Sequence, residues 1–322
     1  MEYVNLGNTG LKVSRLCVGC MGFGVMDKGG IPGKTGEKEA REIIKYALDQ
    51  GINFFDTANY YSMGVSEEIL GRAIRDFGNR DEVVIATKLY YPMHGGANAK
   101  GLSRKAIFTE VENSLKRLQM DYIDLYIIHR IDYMTPLEEV MEALNDLVRL
   151  GKVRYIGASS MYAWQFVKAN AIARQNGWAQ FISMQDTYNL VYREEEKEMY
   201  PMCIDQKIAI TPYSPVAHGV LVKPHDAPRT DGIGKLQNEY VLEHDREIVR
   251  RVEELAAKKG ISKSQLALAW MLNKPHITAP LVGSSKVGYL EEAIKALDIK
   301  LTEEEMNYLE EPYVPHAQYG FR

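Results

Sequence analysis

The sequence predicts an α/β fold, a (β/α)8 barrel formed by residues 1–322 as a single domain. Eight short apolar runs alternate with longer amphipathic segments, a pattern that indicates parallel strands joined by helices. A count of eight favours closure into a barrel over an open, doubly wound sheet, and 322 residues suit one barrel with insertions. The predicted strands are Arg15–Cys20, Ile52–Asp56, Val83–Lys88, Tyr122–His129, Val153–Ser159, Phe181–Gln185, Ile208–Ser214 and Thr278–Ser284.

The amphipathic segments between these runs carry helix start and stop signals. Ser103 is a favourable N-cap, Pro136 suits a first helical turn, and Gly260 follows two lysines as a helix stop. The stretches "YVNLG" and "LKVSRL" near the start suggest a small hairpin that caps the barrel floor. The predicted helices include Glu37–Gln50, Ser66–Phe77, Ser103–Leu118, Pro136–Leu150 and Asp245–Lys259.

Two segments interrupt the alternation of strands and helices. Residues Tyr90–Gly101 form a Gly-rich loop after the third strand, and Val222–His244 form a long polar insertion after the seventh. Long loops in a compact domain are often functional, and both leave the strand ends where barrel active sites lie. The acidic run "REEEKE" from Arg193 to Glu198 is expected on a helix that faces water.

The composition excludes several classes of function. Charged residues make up 25% of the chain, the net charge is −4, and no Lys/Arg block suggests a nucleic-acid partner. No stretch reaches the roughly 18 apolar residues of a membrane span, so we expect a cytoplasmic protein. Cys17 and Cys20 form C-x-x-C, but residues three apart on a strand point to opposite faces. We therefore expect neither a disulfide nor a shared metal there.

Three consecutive predicted strands end on ionisable residues. These are Asp56, Lys88 and His129, and Tyr61 follows on the loop beyond Asp56. In a closed barrel the ends of adjacent strands are neighbours, so these side chains should meet at one mouth. An ammonium favours the phenolate of a nearby tyrosine and lowers its pKa, and an imidazole can donate a hydrogen bond. These four side chains suit proton donation to an oxygen that gains negative charge, and this chemistry needs no metal.

The later strands end on small or amide-bearing residues instead. Ser159, Ser160 and Gln185 can bind an amide, and the flat ring of Tyr213 can stack on an aromatic ring. Gly283–Lys286 precede a helix and suit phosphate binding at its N-terminus. This half of the mouth therefore suits a nucleotide with an amide-bearing ring.

These residues, taken in order, resemble the aldo-keto reductases. The resemblance covers nearly the whole chain and is carried by "LGNTGLKVSRLCVG", "FFDTANYYSMGVSEEILGRAIR", "VVIATK", "DLYIIHR", "GASS", "YSPVAHGVL" and "VGSSK". A bacterial branch, the YajO-like reductases, is similar also in "YIGASSMYAWQF", "SMQDTYNLVYREEE" and "EEPYVPHAQYGF". The resemblance implies a barrel that reduces small aldehydes and ketones with NADPH, with NADH as a possible substitute.

The resemblance also implies roles for individual residues. Asp56, Tyr61, Lys88 and His129 fall on the catalytic positions, with Tyr61 as the general acid. The implied cofactor-binding residues are Cys20, Met21, Asp56, Ser159, Ser160, Gln185, Tyr213, Ser214, Pro215, Gly219, Leu221, Gly283, Ser285, Lys286 and Glu292. The candidate pocket residues suggest an apolar or aromatic substrate site and are Met21, Phe23, Met26, Tyr60, Tyr90, Tyr91, Met93, Arg130 and Tyr319.

Two positions depart from the family pattern, and two other functions stay open. Many members have Asn at the position of Ser160, and many carry an Arg near Tyr289 that is missing here. A bound 2′-phosphate would then rest mainly on Ser285, Lys286 and backbone N–H groups. One alternative is a Schiff-base aldolase that uses Lys88, although Asp56 would keep that lysine protonated. The other is a cofactor-binding regulatory subunit without turnover.

Overall fold

The predicted barrel is confirmed by a computed structural model that describes residues 1–25, 29–224 and 242–321. Eight parallel strands form one sheet in the order β10-β3-β4-β5-β6-β7-β8-β9. The strands are β3 Cys17–Gly19, β4 Phe54–Asp56, β5 Val84–Leu89, β6 Ile123–Ile128, β7 Val153–Ser159, β8 Phe181–Gln185, β9 Ala209–Ile210 and β10 Leu281–Gly283.

The barrel closes between the short strands β9 and β10. The Thr278 N–H donates to the Ile210 carbonyl oxygen at 2.9 Å, and the Leu281 N–H donates to the Pro212 carbonyl oxygen at 2.8 Å. Strands β9 and β10 contain fewer residues than the apolar runs predicted for them. This is because only isolated backbone contacts join the two strands to each other. These two strands therefore lie where predicted, with fewer residues in regular pairing.

The five helices predicted from the sequence are confirmed to within one residue at each end. Ser103 acts as the expected N-cap of α3 and accepts the Ala106 N–H at 3.2 Å. The α-helices of the described ranges are α1 Glu37–Asp49, α2 Val65–Phe77, α3 Arg104–Leu118, α4 Leu137–Arg149, α5 Ala163–Asn176, α6 Met199–Asp205, α7 Arg246–Lys259, α8 Lys263–Leu272, α9 Val287–Lys295 and α10 Glu303–Glu310.

The strands separate two apolar layers, one inside the barrel and one beneath the helices. Phe54 belongs to the small inner cluster and Phe55 to the larger outer one, as the alternation of side chains along a strand requires. Cys17 lies in the inner cluster and Cys20 in the outer one, and both are free thiols. The two cysteines therefore lie on opposite sides of the sheet, as the spacing along the strand predicts.

An N-terminal hairpin closes the barrel floor, as predicted. Strand β1, Tyr3–Asn5, pairs antiparallel with β2, Lys12–Ser14. Leu6 and Val13 are fully buried in the inner cluster. Gly7 has φ +60°, and a Cβ there would lie 2.7 Å from the Ile182 carbonyl oxygen. This close approach requires glycine. The hairpin thus closes the end of the barrel that lies opposite the carboxyl ends of the strands.

The prediction that the acidic run "REEEKE" faces water was wrong for Glu194 and Glu195, although Lys197 and Glu198 are exposed. Glu194 and Glu195 are 6% and 3% exposed and lie in a single 3₁₀ turn. The C-terminal tail covers them, because the Tyr313 hydroxyl and the His316 N–H each donate to Glu194 Oε1 at 2.7 Å. The Gln318 side chain donates to Glu195 at 3.0 Å. A distant segment therefore covers Glu194 and Glu195 and supplies hydrogen bonds to both.

The two long loops leave the same end of the barrel. The segment from residue 90 to residue 101 follows β5 and closes on itself through the Gly101 N–H, which donates to the Tyr90 carbonyl oxygen at 2.8 Å. The insertion after β9 lies mostly outside the described residues. None of the helices in the described ranges combines the length and apolarity of a membrane-spanning segment.

Candidate active site

The four ionisable side chains singled out by the sequence meet at the carboxyl ends of β4, β5 and β6. Asp56 is the last residue of β4, Lys88 is the penultimate residue of β5, and His129 follows β6. Tyr61 returns on the loop after β4. The exposed fraction is 0% for Lys88, 1% for Asp56, 6% for Tyr61 and 7% for His129. The structure therefore brings the whole set together in a nearly dry site.

The Lys88 ammonium is the centre of this cluster. It forms an ion pair with Asp56 Oδ1, donates to the Thr57 carbonyl oxygen at 2.9 Å and donates to the Tyr61 hydroxyl oxygen at 3.2 Å. An ammonium has three N–H donors, so each has one partner. This geometry fixes both the position and the charge of the lysine.

The pKa values of this cluster follow from burial and charge. Burial alone would lower the pKa of Lys88, but Asp56 and Tyr61 raise it above its usual value. Burial raises the pKa of Tyr61, and the Lys88 ammonium opposes that shift without cancelling it. The sequence-based expectation of a lowered Tyr61 pKa is therefore wrong for the net shift, although the ammonium acts in the predicted direction.

His129 completes the cluster as a neutral imidazole. Burial, the Lys88 ammonium and the Arg130 guanidinium place its pKa well below the usual value. Its ring lies edge-on to that of Tyr61, with centroids 5.7 Å apart at 83°. His129 Nδ1 is buried and has no hydrogen-bond partner within the described part of the chain. A neutral ring carries one N–H donor, which suits a hydrogen bond to an uncharged oxygen.

A strained loop holds Tyr61 in place. The next two residues, Ser62 and Met63, have φ values of +47° and +51°, a left-handed conformation that costs about 1 kcal/mol or more for each non-glycine residue. The buried Ser62 hydroxyl donates to the Gly24 carbonyl oxygen at 2.9 Å and accepts the Gly33 N–H at 3.0 Å. Sequence reasoning missed this support, because a serine in a turn gives no signal of a left-handed backbone.

The amide-bearing half of the mouth is joined directly to the ionisable half. Ser159 and Gln185 end the neighbouring strands β7 and β8 in register. The Ser160 hydroxyl lies 3.3 Å from the Tyr213 hydroxyl. Gln185 Nε2 donates to Asp56 Oδ2 at 3.0 Å, a link the sequence did not predict. Both Asp56 oxygens are therefore engaged, one by a lysine and one by an amide.

The predicted phosphate-binding residues form an open site before α9. Gly283, Ser285 and Lys286 are exposed, and a Cβ on Gly283 would meet no atom within 4 Å. Within the described ranges Lys286 forms no ion pair, so its charge is available to an anion at this helix N-terminus. Glu292 lies on the same helix and accepts the Ser262 hydroxyl at 2.9 Å. Ser285, Lys286 and the N-terminus of α9 therefore suit a nucleotide phosphate.

The predicted pyrophosphate segment after β9 has an irregular backbone. Ser214, His218 and Gly219 have φ values of +60°, +51° and +92°. The Ser214 hydroxyl lies 3.2 Å from His218 Nε2. Pro215 is buried, and the buried Leu221 joins the segment to the outer layer. The turns keep this stretch at the barrel mouth, beside Tyr213.

An aromatic wall stands beside the ionisable cluster. The Tyr60 and Tyr91 rings stack with centroids 4.9 Å apart, and Tyr90 lies edge-on to Tyr91 at 5.3 Å. Tyr91 also lies 5.0 Å from the His129 ring, and the Arg130 guanidinium is 5.9 Å from the Tyr91 centroid. Four of the predicted pocket residues are thus gathered at His129.

A model of the aldo/keto reductase family matches residues 15–313. This chain belongs to the aldo-keto reductase family. Family membership agrees with the barrel, with the ionisable cluster at its mouth and with the open site before α9, and it makes the protein an oxidoreductase enzyme.

Fungal aldo-keto reductases are similar over almost the full length of the chain. Versiconal hemiacetal acetate reductase of Aspergillus parasiticus is 46% identical, with 98% of both chains covered. A putative aryl-alcohol dehydrogenase of Schizosaccharomyces pombe is 44% identical over 97% of this chain and 96% of that protein. A putative aryl-alcohol dehydrogenase of Saccharomyces cerevisiae is 42% identical, with 99% and 98% covered. The likeness to the bacterial YajO-like branch stays a prediction.

The structure assigns no binding contact to several predicted binding residues of this aldo-keto reductase within the described ranges, and one of them lies outside those ranges. The Cys20 and Phe23 side chains are fully buried in the outer apolar layer. Met21 is 43% exposed, and Met26 lies outside the described residues. Met93 N–H donates to the Ala99 carbonyl oxygen within the loop after β5. Roles for these residues stay predictions.

Asp186 lies beside the amide-bearing half of the mouth of this aldo-keto reductase, and sequence reasoning missed it. Asp186 directly follows Gln185 and accepts the Ser160 N–H at 3.3 Å. It is 1% exposed, and burial raises its pKa to about 7. A carboxylate at the end of a parallel strand was the signal available in the sequence, the same one that pointed to Asp56.

We predict that Lys88→Met lowers the free energy of unfolding by much more than the loss of the lysine's own hydrogen bonds would. Removing the ammonium leaves the buried Asp56 carboxylate without a counter-charge, which costs about 3–5 kcal/mol. The double variant Asp56→Asn with Lys88→Met should recover much of this loss, because no isolated charge is left. The free energy of unfolding in urea measures both variants.

The exposed ion pair between Lys45 and Asp49 on α1 provides the control. Lys45→Met should change the free energy of unfolding by no more than about 0.5 kcal/mol. A double variant that is less stable than Lys88→Met alone would contradict the interpretation of Lys88 and Asp56 as a charge-compensating pair.

Proposed function

We propose that this aldo-keto reductase reduces aldehyde and ketone carbonyls to alcohols with NADPH, and that Tyr61 is the general acid. One observation carries the proposal. The Lys88 ammonium contacts both the Asp56 carboxylate and the Tyr61 hydroxyl inside a buried site. A phenol beside a fixed ammonium can give up its proton to an oxygen that gains negative charge.

The residues of the chain supply the proton and the electrostatic stabilisation. When bound, the nicotinamide cofactor supplies the hydride that forms the new C–H bond at the carbonyl carbon. The Tyr61 O–H bond breaks as its proton passes to the carbonyl oxygen, which yields the alcohol, and solvent later returns a proton to the phenolate. Lys88 stabilises that phenolate, Asp56 keeps the lysine charged, and His129 donates a hydrogen bond to the carbonyl oxygen.

The raised pKa of Tyr61 gives this acid a defined pH window. The proton is present below the raised pKa and is lost as the pH rises through it, so carbonyl reduction should decline on the alkaline side. At neutral pH the phenol is protonated and ready to donate. The ammonium lowers the cost of the phenolate at the moment it forms, which is where stabilisation accelerates the chemical step.

The cofactor fits the other half of the mouth. Ser159, Ser160 and Gln185 offer hydroxyl and amide groups for a nicotinamide carboxamide, and Tyr213 offers a ring for stacking. The segment from Ser214 to Leu221, which includes Pro215 and Gly219, would follow the pyrophosphate. Ser285, Lys286 and the N-terminus of α9 would hold the 2′-phosphate. The charge of Lys286 favours NADPH over NADH.

We propose aromatic carbonyl compounds as substrates. The stacked pair of Tyr60 and Tyr91 beside His129 offers flat faces to an aromatic ring. Arg130 lies over the Tyr91 ring at the same wall. The names of two similar yeast proteins, putative aryl-alcohol dehydrogenases, support the same class.

No observation favours the two alternatives. A Schiff-base lysine must be uncharged to attack a carbonyl, whereas the Asp56 carboxylate and the Tyr61 hydroxyl hold Lys88 protonated. A regulatory subunit without turnover would not need the acid, the ammonium and the imidazole in mutual contact. The buried contacts among Asp56, Lys88, Tyr61 and His129 therefore support turnover.

We predict that Tyr61→Phe retains NADPH binding but loses about 10²–10⁴-fold in kcat, since positioned acids contribute on that scale. NADPH consumption with a panel of aromatic and aliphatic aldehydes measures turnover, and quenching of protein fluorescence measures cofactor binding. The wild-type protein should show higher kcat/KM for the aromatic members of the panel.

Tyr122→Phe is the matched control, because Tyr122 precedes β6 at the opposite end of the barrel. That variant should keep wild-type turnover. Full activity of Tyr61→Phe would overturn the assignment of the acid, and higher kcat/KM for aliphatic aldehydes would overturn the proposed substrate class alone.

We predict that Lys286→Met raises KM for NADPH about 10- to 100-fold and leaves KM for NADH unchanged. A hydrogen bond to a charged group contributes about 1.5–3 kcal/mol, and NADH lacks the 2′-phosphate. Steady-state kinetics with both cofactors measure the effect, and Lys116→Met, on the exposed side of α3, is the control. An equal rise of KM for both cofactors would place Lys286 away from the 2′-phosphate.

A further inference from the structure

A second cluster of ionisable side chains lies away from the candidate active site. It consists of His244 and Asp245, which immediately precede α7, and His316 from the C-terminal tail. We call these three residues the His–Asp–His cluster. None of them takes part in the proposed reaction, and the sequence analysis did not associate them.

The ligand atoms of the His–Asp–His cluster are close together. His316 Nε2 lies 3.1 Å from Asp245 Oδ2, and His244 Nε2 lies 3.7 Å from Asp245 Oδ1. One nitrogen or oxygen from each residue falls within 4.8 Å of the others. The two imidazole rings have centroids 5.4 Å apart. One imidazole therefore lies beside each oxygen of the Asp245 carboxylate.

The Asp245 carboxylate gives an independent sign of a missing partner. Its side chain is fully buried, and Oδ1 has no hydrogen-bond partner in the described ranges. The other oxygen, Oδ2, accepts the Leu242 N–H and the His316 ring nitrogen. Leaving a buried charged oxygen unpaired costs about 1–3 kcal/mol or more. A cation beside Oδ1 would remove this cost.

We propose that the His–Asp–His cluster binds a divalent transition-metal ion, with Zn²⁺ as its representative. Two imidazoles and one carboxylate are ligands that zinc favours, and a water molecule would fill the fourth position. Metal–ligand bonds of about 2.0–2.2 Å in a tetrahedron place the ligand atoms about 3.3 Å apart. His316 Nε2 lies 3.1 Å from Oδ2 and His244 Nε2 lies 3.7 Å from Oδ1, so each imidazole lies near this distance from one oxygen of the Asp245 carboxylate.

Binding requires only small changes at the cluster. His316 exchanges its contact with Asp245 for the metal and coordinates as a neutral ring, so its Nε2 carries no proton. His244 is 38% exposed, so its ring is free to turn and bring Nε2 closer to Oδ1 than 3.7 Å. Asp245 keeps its hydrogen bond from the Leu242 N–H at 2.5 Å, which orients the carboxylate as second-sphere partners do in metal sites.

The ion would fasten the C-terminal tail to the start of α7. Beyond His316 the tail is held by the Tyr319 N–H, which donates to the Tyr192 hydroxyl at 2.8 Å. A Cβ on Gly320 would lie 3.9 Å from Arg130 Nη2 and 4.0 Å from the Tyr213 hydroxyl. The site is therefore structural, and its ion stabilises the tail at the mouth without contact with the reacting atoms.

Metal titration of the full-length, tag-free protein tests the proposal. Calorimetric titration with Zn²⁺ should give one ion per chain and a higher thermal midpoint, and Co²⁺ should give the visible absorption of a four-coordinate site. His244→Ala should bind Zn²⁺ at least about tenfold more weakly, because second-sphere changes alone cost that much. Its exposed side chain makes the metal-free stability of this variant equal to that of the wild type.

Two further variants complete the test. Asp245→Asn removes the charge but keeps an oxygen for the Leu242 N–H, and it should also lose Zn²⁺ binding. His94→Ala removes an exposed histidine from the loop after β5 and should bind Zn²⁺ as the wild type does. The proposal is overturned if the wild type binds neither ion, or if His244→Ala binds Zn²⁺ with wild-type affinity.

Discussion

The buried ion pair between Lys88 and Asp56 is the interaction on which the rest of the candidate site depends. Taking two charges out of water is costly, and a buried pair persists only when further hydrogen bonds satisfy the remaining groups. Here Thr57 and Tyr61 occupy the other ammonium donors, and Gln185 occupies the second carboxylate oxygen. Each of these contacts fixes a group that the proposed reaction uses.

The barrel supplies these contacts through the order of its strands. Neighbouring strands β4, β5 and β6 deliver the acid, the ammonium and the imidazole to one side, while β7 and β8 deliver hydroxyl and amide groups to the other. The hydrogen bond from Gln185 to Asp56 joins the two halves. The positive-φ turn at Ser62 and Met63 directly follows Tyr61, so the backbone that carries the phenol is fixed beside this junction.

Local patterns predicted much of this structure, and tertiary contacts account for what they missed. Strand ends at Asp56, Lys88 and His129 are visible in sequence because apolar runs stop there. The burial of Glu194 required knowledge of the C-terminal tail, and the His–Asp–His cluster joins residues 71 positions apart. The net rise in the Tyr61 pKa depends on how completely the loop excludes water, which residue types alone do not encode. A carboxylate at Asp186 offered a signal and was overlooked.

The pH dependence of hydride transfer in a single turnover tests the central claim most directly, namely that Lys88 sets the acidity of Tyr61. The wild-type rate should fall as the pH rises through the pKa of Tyr61. In Lys88→Met the maximal rate should be lower and the fall should shift to higher pH, because loss of the ammonium raises the pKa of the phenol. An alkaline limb at the same pH in both proteins would contradict the account.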